Sequence, residues 1–502
     1  MSRRHRISRS GIQRTVFIAS LMCCAIQFHL PSHLSADEKR TGGIDVPMEH
    51  ERRLQEEVVE STADQDPEPV PPPVSVVSVP LHSEHGTHHA YLYVGSPPQR
   101  RTLIVDTGSR LVAFPCTPCP NCGTGHASPS YYDPSVSTTD VVNACPADCR
   151  FDGMSKCANS VNGTQQQQQQ QQCRFVQRYT EGSRIEAYEI TDVMWLGTAD
   201  VGESTADPTY VGMAVPFVFG CQTSEEGLFR HQYADGIMGV AMHQTTLIAA
   251  MYEAGAIPRH AFSLCLNFDG GVFSLGGTKL GLGNDALPSS GNATSPPSTP
   301  HHLEPMQFAP LAKNHGWYAV GVMSLHLGDI LITTTETLLS AFNDGKGTII
   351  DSGTTDSYLP RVIARPFRRA WETITGHVHS NKLERYTYAR FRRLPNITIT
   401  VHGLRGTSIR WSATPSNYME EMAVTRTNSE LRSARIIKRV DITKPWEGTK
   451  SFTNRIYVDE PNGCVVGGNW MADHDVLFDV QGKRIGIARA ECTSQESPYI
   501  IV

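Results

Sequence analysis

The clearest pattern along the chain is an apolar run that stops at a carboxylate. Ile349 and Ile350 lead into Asp351, followed by Ser352, Gly353, Thr354 and Thr355. Two β-branched residues before the acid predict a buried strand that runs into a turn. The Ser, Gly and Thr residues supply turn chemistry and hydroxyls. The pattern recurs at Leu103, Ile104 and Val105, which lead into Asp106, Thr107, Gly108 and Ser109. Two such elements predict two similar lobes that each contribute one aspartate. Before the first, residues 88–94 and 101–105 read as the strands of a hairpin turned at "GSPPQ". Short strands and turns are predicted at 235–241, 261–266 and 270–277, and strand-like alternation resumes over 308–332. Many short strands with few long amphipathic helices predict a mainly β protein.

The flanking segments read differently. Arg3, Arg4, Arg6, Arg9 and Arg14 precede the apolar stretch 16–28, and Ala36 stands near a plausible cleavage point. Residues 1–36 therefore read as a signal peptide, with an uncleaved signal anchor as the alternative. Residues 37–78 are acidic and then proline-rich, without apolar periodicity, and read as a pro-segment or linker. A first lobe is expected over 79–304 and a second over 305–502. The first carries a cysteine-rich insertion, 116–173, that includes eight glutamines at 165–172. The glutamine tract reads as a solvated loop.

Composition narrows the function classes. The 502 residues carry a net charge of −6, so no basic bias points to nucleic acid. The sequence "SPYIIV" at the C-terminus is far too short for a membrane anchor. Residues 361–393 hold nine Arg or Lys and two Glu, and read as a solvated face rather than a docking patch. Of thirteen cysteines, Cys23 and Cys24 fall in the signal segment. The remaining eleven, in an oxidising compartment, predict mostly disulfides, with at least one cysteine unpaired or bridged to another chain. Asn162, Asn292 and Asn396 each begin a glycosylation sequon. Cys116, Cys119, Cys122 and His126 have metal-ligand spacing, but in a secretory chain with more cysteines nearby disulfides are the preferred reading and no metal is assigned.

Two Asp-Thr/Ser-Gly loops brought face to face make one chemistry possible. Carboxylates ~3 Å apart do not both ionise, so they share a proton. The charged member acts as general base on a water, and the protonated one hydrogen-bonds a substrate carbonyl. Gly108 and Gly353 allow close approach of the loop backbones. Thr107 and Ser352 can cross-link the loops, and Ser109 and Thr354 can bond the outer carboxylate oxygens. Those hydroxyls favour an acidic to mildly acidic optimum.

On these motifs the sequence resembles the pepsin-like aspartic peptidases, family A1, over roughly residues 85–492. "DTGS" at Asp106 and "DSGTT" at Asp351 stand in family order with Ile237, Met238 and Gly239 and with Val465, Val466 and Gly467. The resemblance implies a bilobal β fold with a cleft between the lobes. It further implies an aspartic endopeptidase that acts on extended peptide or protein substrates as a monomer, without a cofactor. "QRYTEGSRIEAY" is similar to the family's flap, with Tyr179 as its tyrosine and Gly182 in its turn. One departure stands out: Ala113 occupies the place of the tryptophan that in pepsin bonds the flap tyrosine. The cysteine cluster after the first loop resembles nepenthesin-like plant members. By similarity to β-secretase, Cys265 is expected to bridge to Cys492. Eleven acids against four Lys or Arg between 37 and 68 argue against a pepsin-type inhibitory pro-segment. A secreted or lumenal protein of the secretory pathway is expected. Two alternatives remain: a catalytically inactive binding or inhibitor protein on the same fold, and a zinc-binding adhesion module.

Overall fold

The computed structural model describes residues 75–84, 86–151, 153–159, 171–198, 212–280, 300–312, 316–424, 435–438 and 445–492. The signal segment, most of the acidic linker, Asn162, Asn292 and residues 165–170 of the glutamine tract lie outside them.

The alternating sequence around the first aspartate forms the expected hairpin. Strand Thr87–Val94 pairs antiparallel with Gln99–Asp106, from His89 opposite Ile104 to Val94 opposite Gln99. A strand at Val77–Glu84 precedes it, and its first two residues fall within the segment read as linker. That strand pairs with Gly270–Leu275, which buries its alternate residues Val79 and Leu81. A pairing of this range leaves no local mark in the sequence.

Among the described residues, the largest sheet has sixteen strands and takes residues from both halves of the chain. Ala261–Asn267 pairs with Gly270–Leu275 on one side and with His474–Asp479 on the other. The C-terminal strand Arg484–Glu491 follows. Cys265 and Cys492 form a disulfide in this region. Phe262 and Phe478 stack where the two halves meet and Tyr318 packs edge-on against both, with ring centroids 4.7 to 5.9 Å apart.

Each aspartate strand has the same neighbour. Gly236–Gly239 lies parallel to Gln99–Asp106, with Gly239 opposite Asp106. Cys464–Val466 lies parallel to Thr348–Ile350, with Val466 opposite Ile350. The apolar-apolar-Gly elements are thus buried central strands, which explains why they lack polar alternation.

The cysteine-rich insertion is held by Cys116–Cys221, Cys119–Cys122, Cys145–Cys157 and Cys149–Cys173. Three of the four residues with metal-ligand spacing are therefore oxidised, which removes that ligand set. His126 instead meets the buried Glu225 at 3.2 Å. The cysteine left over is Cys464, which is buried, and burial pushes its thiol up to about 12. Its burial excludes a bridge to another chain. The glutamine tract is not wholly a loop: Gln171 and Gln172 begin the strand Gln171–Arg178, pairing with Asn159 and Ala158. In the basic run, helix Ala364–Thr375 buries Phe367, Ala370 and Trp371 and exposes Arg365, Arg368 and Arg369. This is the solvated face of an amphipathic helix. Among the described residues, no helix is long and apolar enough to cross a membrane.

Candidate active site

The strands Gln99–Asp106 and Thr348–Ile350 deliver their aspartates to one point. Asp106 and Asp351 are both fully buried. A Cβ built on Gly108 would lie 2.7 Å from Asp351 Oδ1, and one on Gly353 would collide with Asp106 Oδ1. Each loop's glycine therefore faces the other loop's carboxylate, and no larger residue fits at either position.

Hydrogen bonds repeat across the junction. Gly108 N–H donates to Asp106 Oδ1 at 2.8 Å, and Gly353 N–H donates to Asp351 Oδ1 at 3.0 Å. The Ser109 hydroxyl donates to Asp106 Oδ2. The Thr354 hydroxyl donates to Asp351 Oδ2 at 2.6 Å. Thr107 Oγ1 donates to the Ile350 carbonyl at 2.9 Å, and Ser352 Oγ donates to the Val105 carbonyl at 2.7 Å. These donors offset the cost of burying the carboxylates.

Burial, and then the neighbouring Asp106 carboxylate, push the Asp351 carboxyl well above the ordinary carboxylate range. Two adjacent acids in a dry site hold one proton between them. Such a pair can activate a water on one side and donate a hydrogen bond on the other.

Strands Gln171–Arg178 and Arg184–Gly197 form a hairpin whose turn carries Tyr179 and Gly182. Tyr179 N–H donates to the Ser183 carbonyl at 2.9 Å, and Gly182 takes a φ of +98°. Glycine tolerates that left-handed turn without strain. Tyr179 is buried beside Ala113, Ile185, Phe229 and Ile237. Its ring lies 4.9 Å from that of Phe229. Phe229 is thus the aromatic neighbour of Tyr179 in this cluster. The short turn Gly227–Arg230 also fixes the hairpin by a 2.9 Å bond from Leu228 N–H to Ser183 Oγ.

Three residues near the pair were not singled out by sequence. Glu181 lies in the hairpin turn, and burial raises its carboxyl, with the charge of Asp106 adding to the effect. Its position between Tyr179 and Gly182 was visible. Phe229 and Trp317 were not: each contacts residues far away in the chain, and neither stands in a motif. The Trp317 indole N–H donates to the Gly108 carbonyl at 3.1 Å. Asn396 is exposed, as a sequon asparagine must be to carry a glycan.

A family model described as "Xylanase inhibitor N-terminal" matches residues 89–277. Among curated proteins, the chain is 27% identical to aspartic protease 5 of Toxoplasma gondii over 56% of this chain and 31% of that protein. It is 27% identical to plasmepsin V of Plasmodium falciparum over 39% of this chain and 30% of that protein. Aspartic proteinase 36 of Arabidopsis thaliana is 29% identical over 55% of this chain and 51% of its own length. The chain thus spans about a third to a half of the relatives it matches. With two aspartate loops of one pattern, each backed by its own apolar-apolar-Gly strand, this chain is similar to the pepsin-like aspartic peptidases of family A1.

Proposed function

We propose that the protein is an aspartic endopeptidase that hydrolyses peptide bonds with Asp106 and Asp351 as its catalytic pair. The observation that carries this reading is the matched set of donors on the two carboxylates, combined with the raised carboxyl of Asp351. With the shared proton on Asp351, Asp106 takes a proton from water as the oxygen attacks the scissile carbonyl. Asp351 gives its proton to the developing oxyanion, which yields a gem-diol. Asp351 then takes a proton back from that diol and Asp106 protonates the leaving nitrogen as the C–N bond breaks. The pair returns to its starting state with no covalent intermediate and no cofactor.

Tyr179 and Gly182 serve in a flap over this pair, and closure excludes water from the reacting bond. The substrate is an extended peptide or a protein segment. The protein works as a monomer, either secreted or in the lumen of the secretory pathway, with lobes at 79–304 and 305–502. The five disulfides among the described residues and the sequons support that compartment.

The test is peptide-library cleavage by the full chain, made in an oxidising host, from acid to neutral pH. Asp351→Ala should abolish every cut. If the folded wild type cuts nothing at any pH, the binding or inhibitor reading replaces this one.

A further inference from the structure

The hydroxyl bonds between the aspartate loops are two-fold symmetric, but one other contact is not. Residues 316–318 run beside the second loop. Ala319 and Val320 pair with Ile349 and Thr348, and Ile350 N–H donates to the Tyr318 carbonyl at 2.8 Å. The Trp317 ring rests against the cluster of Ala319, Ile349, Tyr358 and Val465. By packing, then, Trp317 belongs to the Asp351 side.

Its indole N–H nevertheless reaches the Asp106 side, at the Gly108 carbonyl. That carbonyl belongs to the peptide that joins Gly108 to Ser109. Gly108 N–H holds one oxygen of Asp106, and the Ser109 hydroxyl holds the other. The clamped peptide therefore lies between the two donors that orient the carboxylate. The neighbouring residue reinforces the contact. Tyr318 Oη donates to the Val240 carbonyl at 2.9 Å, and Val240 N–H donates to the Asp106 carbonyl at 2.8 Å. Gly316 contributes its own carbonyl to Met242 N–H at 3.1 Å. Among the described residues, the Gly353 carbonyl has no matching indole.

We propose that residues 316–318 form a strap across the two aspartate loops, in which Trp317 is a positioning residue that fixes the Asp106 carboxylate through the Gly108–Ser109 peptide. This rests on the endopeptidase reading above and adds to it a residue outside both aspartate motifs. Packing alone would make Trp317 a support for the second loop only. The indole bond makes it a tie between loops, whose loss loosens the donors on one carboxylate and leaves those on the other in place. Small displacements of this kind act on the chemical step more than on ground-state binding. Weaker donation to a carboxylate also raises the pH at which it ionises.

The test compares the full-length wild type with Trp317→Phe, which keeps an aromatic ring and deletes the N–H. Active protein is counted by titration with a tight-binding statine-type inhibitor, and Asp351→Ala is run alongside. The expected result is a fall in kcat of about tenfold, the worth of one lost hydrogen bond. KM should stay within about twofold, the thermal midpoint should fall by no more than one lost hydrogen bond accounts for, and the acid limb of the kcat profile should move upward. Tyr318→Phe, which removes the bond to Val240, should move the same limb in the same direction, and stands in if Trp317→Phe does not fold. An unchanged kcat and acid limb in a wild type that cleaves, with Asp351→Ala inactive, overturns the strap and leaves the endopeptidase reading intact. A kcat that falls only in step with the thermal midpoint, with no movement of the limb, also overturns it. A wild type that cleaves nothing removes the reading and the strap together.

Discussion

Thr107 and Ser352, 245 residues apart, each hold the other's backbone. Thr107 N–H donates to Ser352 Oγ at 3.1 Å, and Ser352 N–H donates to Thr107 Oγ1 at 2.9 Å. Both side chains are buried, and each hydroxyl also donates to a carbonyl on the opposite strand. Thr107→Val keeps the shape and removes the hydroxyl, which strands the Ile350 carbonyl and the Ser352 N–H without these partners. The expected cost is about 3 kcal/mol, since each buried group left unpaired costs about 1–3 kcal/mol. Denaturant unfolding should show a lower midpoint with an unchanged slope. An unchanged midpoint would mean that the loops are held together elsewhere.

Tyr179, proposed above as a flap tyrosine, packs its ring against Phe229 at 4.9 Å. Phe229 is fully buried, so Phe229→Ala should cost about 3–5 kcal/mol by the usual range for such truncations. Because the lost neighbour is Tyr179, kcat/KM should also fall once the loss of folded protein is corrected for. Normal kcat/KM per folded molecule would separate Phe229 from flap function.

On the proposed flap role of the 179–182 turn, Glu181 makes its placement pH-dependent. Its carboxyl is raised by burial and by the charge of Asp106. An acid whose carboxyl is raised by burial favours that buried placement when protonated. Its contribution is fully present below the ordinary carboxylate value and is lost as pH rises through the raised one. Glu181→Gln, which stays neutral, should therefore move the alkaline limb of kcat/KM upward. A limb that stays in place would assign the alkaline loss of activity to the aspartate pair alone.

Buried histidines set an acid limit to stability. Burial, with His82 and His88 adding to it, pushes His89 down to about 3. Burial and the charge of Arg368 push His379 down to about 4. A base whose folded value is depressed contributes stability that is fully present above its unfolded value, ~6.5. That contribution is lost as pH falls towards the folded values. The thermal midpoint should thus decline from about pH 6.5 towards about pH 4, and His89→Gln should flatten the slope. This favours a mildly acidic working range over a strongly acidic one. A midpoint that rises on acidification would contradict the assignment.

The two aspartate loops were legible in sequence because each is a local pattern: an apolar strand, an acid, then small hydroxyl residues and glycine. The hairpin before Asp106 and the strands around 235–277 were legible for the same reason, as alternation and turn chemistry act over a few residues. The pairing of Val77–Glu84 with Gly270–Leu275 was not, nor were the disulfide partners within 116–221. Register and cysteine pairing between distant segments depend on the folded path, and an isolated cysteine does not record its partner. Ala113 marked where the family's tryptophan is missing but gave no hint of the Tyr179–Phe229 contact. Trp317 lies 209 residues from the carbonyl it bonds, so no local pattern could have linked the two.

The central claim is that Asp106 and Asp351 act as one catalytic pair. Its most direct test is peptide cleavage by the wild type, Asp106→Asn and Asp351→Asn, each confirmed as folded by its thermal midpoint. Asparagine keeps the shape of the site and removes the ionisable acid. Each variant should lose at least about a thousandfold in kcat, within the usual range for loss of a general acid or base. Cleavage at the wild-type rate by either folded variant would contradict the account.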